Sequence, residues 1–194
     1  SAVDFINDIM PVLSRLGCNG SSCDGKAEGQ NGFNLSVFGY DPEGDFRALT
    51  KESRGRRISP AVPEDSLLLR KITGEVGHGG GVRATKGSRA YIILRDWIKS
   101  GTAFEIMDRP PLVKVRLEPR HEVVKFGAKR QLKVFAEYSD GGKRDVTWLS
   151  VFHSNDAGMA TVAADGLITI GDTVGQASVM ARYPAVCRKV GSML

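Results

Sequence analysis

The sequence predicts a multidomain chain, an all-α domain followed by an all-β sandwich, and three observations predict it. Apolar residues recur at helical spacing up to about residue 107 and alternate from there on. Between the two regimes lies Asp108-Arg109-Pro110-Pro111, where a stiff Pro-Pro pair cannot continue a helix. The 194 residues suffice for two ordinary domains, which cluster near roughly 100–150 residues each. The expected boundaries are 1-107 for the helical domain, 108-111 for the linker and 112-194 for the sandwich.

The first helix is expected from Val3 to Leu16, with Ile6, Ile9, Leu13 and Leu16 on one stripe. Pro11 should kink or tighten it locally, and Gly17 should end it. A long loop rich in Gly and Asn follows, from Cys18 to about Tyr40. Asp41-Pro42-Glu43 opens a short helix through Phe46 and Leu49. The acidic residues Asp41, Glu43 and Asp45 suit a helix start better than a calcium site. Pro63-Glu64-Asp65-Ser66 opens another helix, with Leu67, Leu68, Leu69 and Ile72 on its apolar side and Gly74 closing it. The stretch Gly77-His78-Gly79-Gly80-Gly81 has little helix potential. A last helix runs from about Ser88 to Ser100, with Ala90, Leu94, Trp97 and Ile98 on one face and Gly101 as its cap.

In the second half, Val113 to Leu117 alternates, as does Gln131 to Tyr138 with Leu132, Val134 and Ala136 on one face. Ser139-Asp140-Gly141-Gly142 and Asp165-Gly166 read as turns. Leu167 to Ile170 and Ala177 to Tyr183 supply further strands, and Lys189 to Leu194 completes an edge strand. About seven short strands are expected, the number of an immunoglobulin-like sandwich. Trp148 and Phe152 should pack near its core or at the domain junction, and Cys187 should be a buried, unpaired thiol.

Composition narrows the function. Hydrophobic residues make up 41% and charged residues 25%, the balance of a folded protein. No apolar run approaches the ~20 residues of a membrane-spanning helix. The opening Ser1-Ala2-Val3-Asp4 is expected of an exported chain whose leader has been removed, and the natural polypeptide is expected to continue past Leu194. The net charge of +5 is mild. The basic cluster Arg54-Gly55-Arg56-Arg57 has neither aromatics nor a reading helix beside it, so no nucleic-acid partner is expected. No phosphate-binding loop, no Gly-x-Ser-x-Gly elbow and no paired general acid and base stand out, so the chain reads as a non-enzyme.

The segment that carries chemistry is Leu16-Gly17-Cys18-Asn19-Gly20-Ser21-Ser22-Cys23-Asp24-Gly25, a short helix delivering two cysteines into a Gly-rich loop. It resembles the haem-attachment end of cytochromes c. Leu94-Arg95-Asp96-Trp97-Ile98 with Gly101 resembles the last helix of the same fold. Together with Lys26 to Tyr40, Arg54 to Arg57, Pro63 to Lys71 and Gly77 to Gly81, these motifs resemble the cytochrome c-like domain of large planctomycete surface proteins, over nearly all of residues 3–105. Residues 112–194 resemble the bacterial immunoglobulin-like domain, group two. Val134 to Gly141, Arg144-Asp145-Val146-Thr147, Ser154-Asn155-Asp156 and Ala160 to Leu167 carry that likeness. Such domains act as spacers or adhesive modules, which implies an unidentified protein or surface partner.

The resemblance implies haem c, with thioethers at Cys18 and Cys23 and His78 as an axial ligand from the opposite face. Arg54, Arg56 and Arg57 would then pair with the propionates; without haem they form a solvated loop. The chain departs from the family at one place: Asp24 stands where the relatives present histidine after the second cysteine. Covalent haem needs an axial imidazole as well as two thiols. The expected function is therefore a haem-free scaffold or interaction module, with haem c electron transfer as the alternative. Without haem, Cys18 and Cys23 either form a disulfide, favoured by export and compatible with bridge geometry, or stay as thiols. A metal site using His78 with Cys18, Cys23 and Asp24 is a further reading, although structural zinc sites show a tighter pattern.

Overall fold

The structure is a computed structural model and describes residues 3–19, 35–36, 39–106, 109–183 and 188–193. The chain divides into two compact units, Ser1–Asp108 and Arg109–Leu194.

The first unit opens on a π-helical turn, Phe5–Ile9, that runs into helix α1, Met10–Arg15. Pro11 has no amide hydrogen, and its ring crowds the carbonyl four residues back. The preceding turn widens to accommodate it. The Met10 amide donates to the Phe5 carbonyl and the Ile9 amide to that of Asp4, both five residues back. The expected kink or tightening at Pro11 is thus a widening. Asp4 caps the turn by accepting the Asn7 amide at 2.7 Å, and its own amide donates to the Asp8 carboxylate at 3.1 Å. The fully buried Asp4 carboxylate also accepts the Ile106 amide at 3.4 Å, and the Phe5 amide donates to the Ala103 and Phe104 carbonyls. The two ends of the unit are thereby clasped together.

Helix α2 spans Pro42–Thr50, α3 Leu67–Ile72 and α4 Arg89–Lys99. Pro63–Asp65 forms only a 3-10 turn, and Ser66 leaves the helical region before α3 begins. Trp97, fully buried on α4, packs at 5.6 Å from Phe5, while Phe46 lies 5.3 Å from Phe5 and 5.1 Å from Phe104. The edge-to-face pairs in this group are the arrangement aromatic quadrupoles favour. The Trp97 indole N–H donates to the Ala103 carbonyl at 2.9 Å, which satisfies its one buried polar group.

Among the described residues, the second unit has nine strands in three antiparallel sheets. One sheet orders β1 (Leu112–Glu118), β3 (Lys133–Tyr138) and β4 (Lys143–Asp145). A second orders β2 (Lys129–Gln131), β7 (Leu167–Ile170) and β6 (Ala160–Val162). The third orders β5 (Val151–Ser154), β8 (Ser178–Tyr183) and β9 (Arg188–Met193). The inward faces alternate as a half-buried strand requires, with Val134 and Ala136 on β3 and Val179, Ala181 and Tyr183 on β8 all buried.

The expected strand from Gln131 to Tyr138 is two strands in different sheets. Its amide ladder breaks at the buried Leu132, which donates to the Gly166 carbonyl at 2.9 Å before β3 turns to pair with β1 and β4. Gly166 holds φ at +85°, and a Cβ there would lie 3.0 Å from the Leu132 carbonyl oxygen, so the Asp165-Gly166 turn needs its glycine. Thr147–Leu149 forms a 3-10 turn that buries Leu149 and leaves Trp148 half-exposed.

The fold class expected from the sequence, an all-α cytochrome c-like domain plus an all-β immunoglobulin-like sandwich, is corrected by this architecture. Helix accounts for 29% and strand for 23%, in few, short helices and small separate sheets. Prolines and glycines cause the shortfall. Pro11 and Pro63 each cost regular helix, and the strands are only three to seven residues long between turns.

Candidate functional site

The cysteine loop leaves α1 through a tightly determined turn. Gly17, at φ +74°, donates to the Ser14 carbonyl, and Cys18 donates to that of Leu13 at 2.9 Å. This nested pair of bonds is the Schellman ending, which a left-handed glycine permits without strain. Asn19 then turns back: buried, its amide donates to the Ser14 hydroxyl at 2.8 Å. The Cys18 backbone therefore starts from a fixed position on the helix end. Cys18 itself is part-exposed.

His78 sits on a loop returning from α3. Its carbonyl accepts the Gly81 amide at 3.2 Å, closing a turn. The loop is tied back where the Arg83 and Ala84 amides donate to the Ile72 carbonyl at 2.8 and 3.0 Å. His78 Nε2 lies so close to Gly80 that a Cβ there would stand 2.7 Å away. A bulkier residue at position 80 would displace the imidazole.

Arg83 links the two loops. Its Nε lies 3.3 Å from the position a Cβ would take on Gly80, and Nη1 lies 3.6 Å from the corresponding position on Gly17. One guanidinium thus spans from the turn that delivers Cys18 to the turn that carries His78. The structure brings these two predicted site residues into one neighbourhood despite their distance in sequence. Arg83 is the residue that sequence reasoning missed, since a lone arginine after a glycine run carries no local signal. Cys23, Asp24 and Cys187 lie outside the described residues, as do any bridge between Cys18 and Cys23 and the environment of the Cys187 thiol. Among the described residues, no three His, Cys, Asp or Glu side chains come together as a metal site.

The basic and acidic clusters are placed differently from expectation. Arg57 is buried and donates to the Ala48 carbonyl at 2.6 Å, near the carbonyl-rich end of α2. It supports the fold instead of belonging to a solvated loop, whereas Arg56 is exposed. Asp41 caps α2 through the Gly44 amide at 3.0 Å, as a helix-start carboxylate should. Asp45 has a different task. It is buried, accepts both the amide and the hydroxyl of Ser36, and anchors the end of the long loop to α2. Burial pushes its carboxyl above the ordinary value, against the Ser36 bonds, which act to lower it.

No protein-family model matches the chain, and comparison with curated proteins finds no match.

Proposed function

We propose that the chain is a non-catalytic, exported interaction module whose Cys18-x4-Cys23-Asp24 segment descends from a haem-attachment loop and carries no haem. One observation carries the reading. The guanidinium of Arg83 lies between the two turns, with Nη1 3.6 Å from the Cβ position of Gly17 and Nε 3.3 Å from that of Gly80. A tetrapyrrole held between a cysteine loop and an opposing imidazole needs that space open. The second support is chemical: Asp24 is a hard, short ligand where the attachment chemistry uses imidazole. The sequence resemblances to exported planctomycete and bacterial surface modules supply the expected location. No helix among the described residues is long and apolar enough to cross a membrane.

A second reading, haem c with thioethers at Cys18 and Cys23 and His78 as axial ligand, is favoured by one observation. The Cys18 and His78 turns share a neighbourhood although they lie far apart along the chain.

The deciding experiment exports the chain to the periplasm of a host with haem-attachment machinery and applies a pyridine haemochrome assay. The expected result is colourless protein in which Cys18 and Cys23 resist alkylation until reduced. A covalent haem spectrum that changes in His78→Ala would overturn the proposal and establish the second reading.

A further inference from the structure

The segment between β7 and β8 is tied at both ends and has no hydrogen bonds in its middle. At one end the Gly171 amide donates to the Met159 carbonyl at 2.7 Å. At the other, where β8 begins, the Ser178 amide donates to the Asn155 side-chain oxygen at 2.6 Å. Between these ties the amides of Asp172, Thr173, Val174 and Gly175 donate to no group among the described residues, and Val174 is 82% exposed. The middle rests instead on one side chain. A Cβ on Gly175 would lie 2.4 Å from Met159 Cε and 2.8 Å from Sδ, so bare backbone sits directly against the thioether.

Met159 is half-buried and faces an open cavity lined by the same segment, so a small uncharged oxidant can enter beside it. The other described methionines lack one half of this arrangement. Met10 packs its Cε against Gly39 in the same way but is 2% exposed, shut off from solvent. Met180 is 38% exposed, opposite the exposed His153 on the β5–β8 ladder, where an added oxygen would meet water.

We infer that Met159 is a reversible oxidation site for hydrogen peroxide, and that its sulfoxide unseats the segment 172–175. The sulfur lone pair attacks one peroxide oxygen and the O–O bond breaks. The departing hydroxide takes the proton from the transferred oxygen, leaving sulfoxide and water; sulfur loses the two electrons that peroxide gains. The thioether, an adaptable apolar group, becomes a polar one with an extra oxygen at the sulfur. That oxygen cannot stay pressed against backbone carbon without a hydrogen bond at little cost. Because the segment lines the same cavity as the buried Ala160, Ile170 and Ala177, its release exposes apolar surface in response to oxidant. A dithiol-dependent sulfoxide reductase reverses the step, removing the oxygen as water while the dithiol closes to a disulfide. The inference stands apart from the reading of the cysteine loop, which is decided by the visible spectrum.

The test treats the whole ¹⁵N-labelled chain with hydrogen peroxide and follows it by peptide mass mapping and amide exchange. Met159 and Met180 should each gain one oxygen before Met10 does. Exchange at Gly171 and Ser178 should become about tenfold faster, with the rest of β7 and β8 unchanged. Methionine sulfoxide reductases supplied with a dithiol should restore the original exchange. Met159→Leu, which keeps every cysteine and the other methionines, should not respond to peroxide at these two amides. The inference is overturned if Met180 is oxidised while Met159 is not. It is overturned equally if Met159 sulfoxide leaves exchange at Gly171 and Ser178 the same or slower. The same acceleration in oxidised Met159→Leu would assign the effect to another group and refute it as well.

Discussion

In the Ser1–Asp108 unit, order comes from side chains acting over long stretches of chain. In the Arg109–Leu194 unit it comes from backbone pairing between strands. The first unit joins its ends through Asp4 and the Phe5 amide and packs the rings of Phe5, Phe46, Trp97 and Phe104, from three stretches of chain, against one another. Its helices are short, at six, nine, six and eleven residues, and helices below about 12–15 residues are marginal alone. The second unit is ordered by antiparallel ladders and puts apolar groups on alternate positions of β3 and β8. The lesson concerns where damage is expected. In the first unit a single large side chain is decisive, whereas in the second the vulnerable points are where a ladder changes partners.

The largest expected effect is in the first unit. Trp97→Ala removes the largest, fully buried ring of the aromatic group together with its bond to Ala103, and should cost about 3–5 kcal/mol. Denaturant unfolding with amide exchange would read this, with protection lost across α1, α2, α3 and α4. If protection there survived, the aromatic group would not be what holds the short helices. Leu132→Ala probes the second unit at the point where β2 passes to β3, and should cost about 2–5 kcal/mol. Protection should fall first at the β2–β7 and β1–β3 pairings; a uniform small loss would mean that the switch point is unimportant.

Smaller effects sharpen the comparison. Arg57→Ala breaks a buried charged hydrogen bond to Ala48 and should cost about 1.5–3 kcal/mol, whereas the exposed Arg56→Ala should stay within about 0.5 kcal/mol. Equal thermal shifts for the two would return Arg57 to the solvated loop. For Asp45, burial raises the carboxyl value in the folded state, so the folded chain holds this proton to higher pH than the unfolded chain. Ionisation therefore subtracts stability as pH rises from the ordinary carboxylate range through the folded value. Asp45→Asn should gain stability relative to the parent over that window and show no gain below it. Melting curves at a series of pH values check the sign, and a gain that grew toward low pH would refute it.

Much of the local structure was legible. Gly17, Gly74 and Gly101 end helices where their sequence contexts suggest, each with φ above +70° and an amide that donates to the carbonyl three residues back. The alternation of Val134 with Ala136, and of Val179 with Ala181, marks inward faces correctly. The candidate site was legible only in part. Cys18 and His78 were identifiable by type and glycine context, but their shared neighbourhood depends on Arg83, which no spacing rule picks out.

What the sequence determined by itself is the set of events that close within a few residues: helix stops at glycine, the cap at Asp41, the turn at Asp165-Gly166 and the paired faces of strands. These follow from backbone sterics and short-range hydrogen bonds, which depend only on near neighbours. The tertiary structure alone decided the π-helical widening before Pro11, the division of one alternating run into two strands at Leu132, the burial of Arg57 and the meeting of the Cys18 and His78 turns at Arg83. Each of these is settled by groups remote in sequence that compete for the same space or the same hydrogen bond. Hydropathy along a chain records how much a residue prefers burial but not which neighbour will bury it.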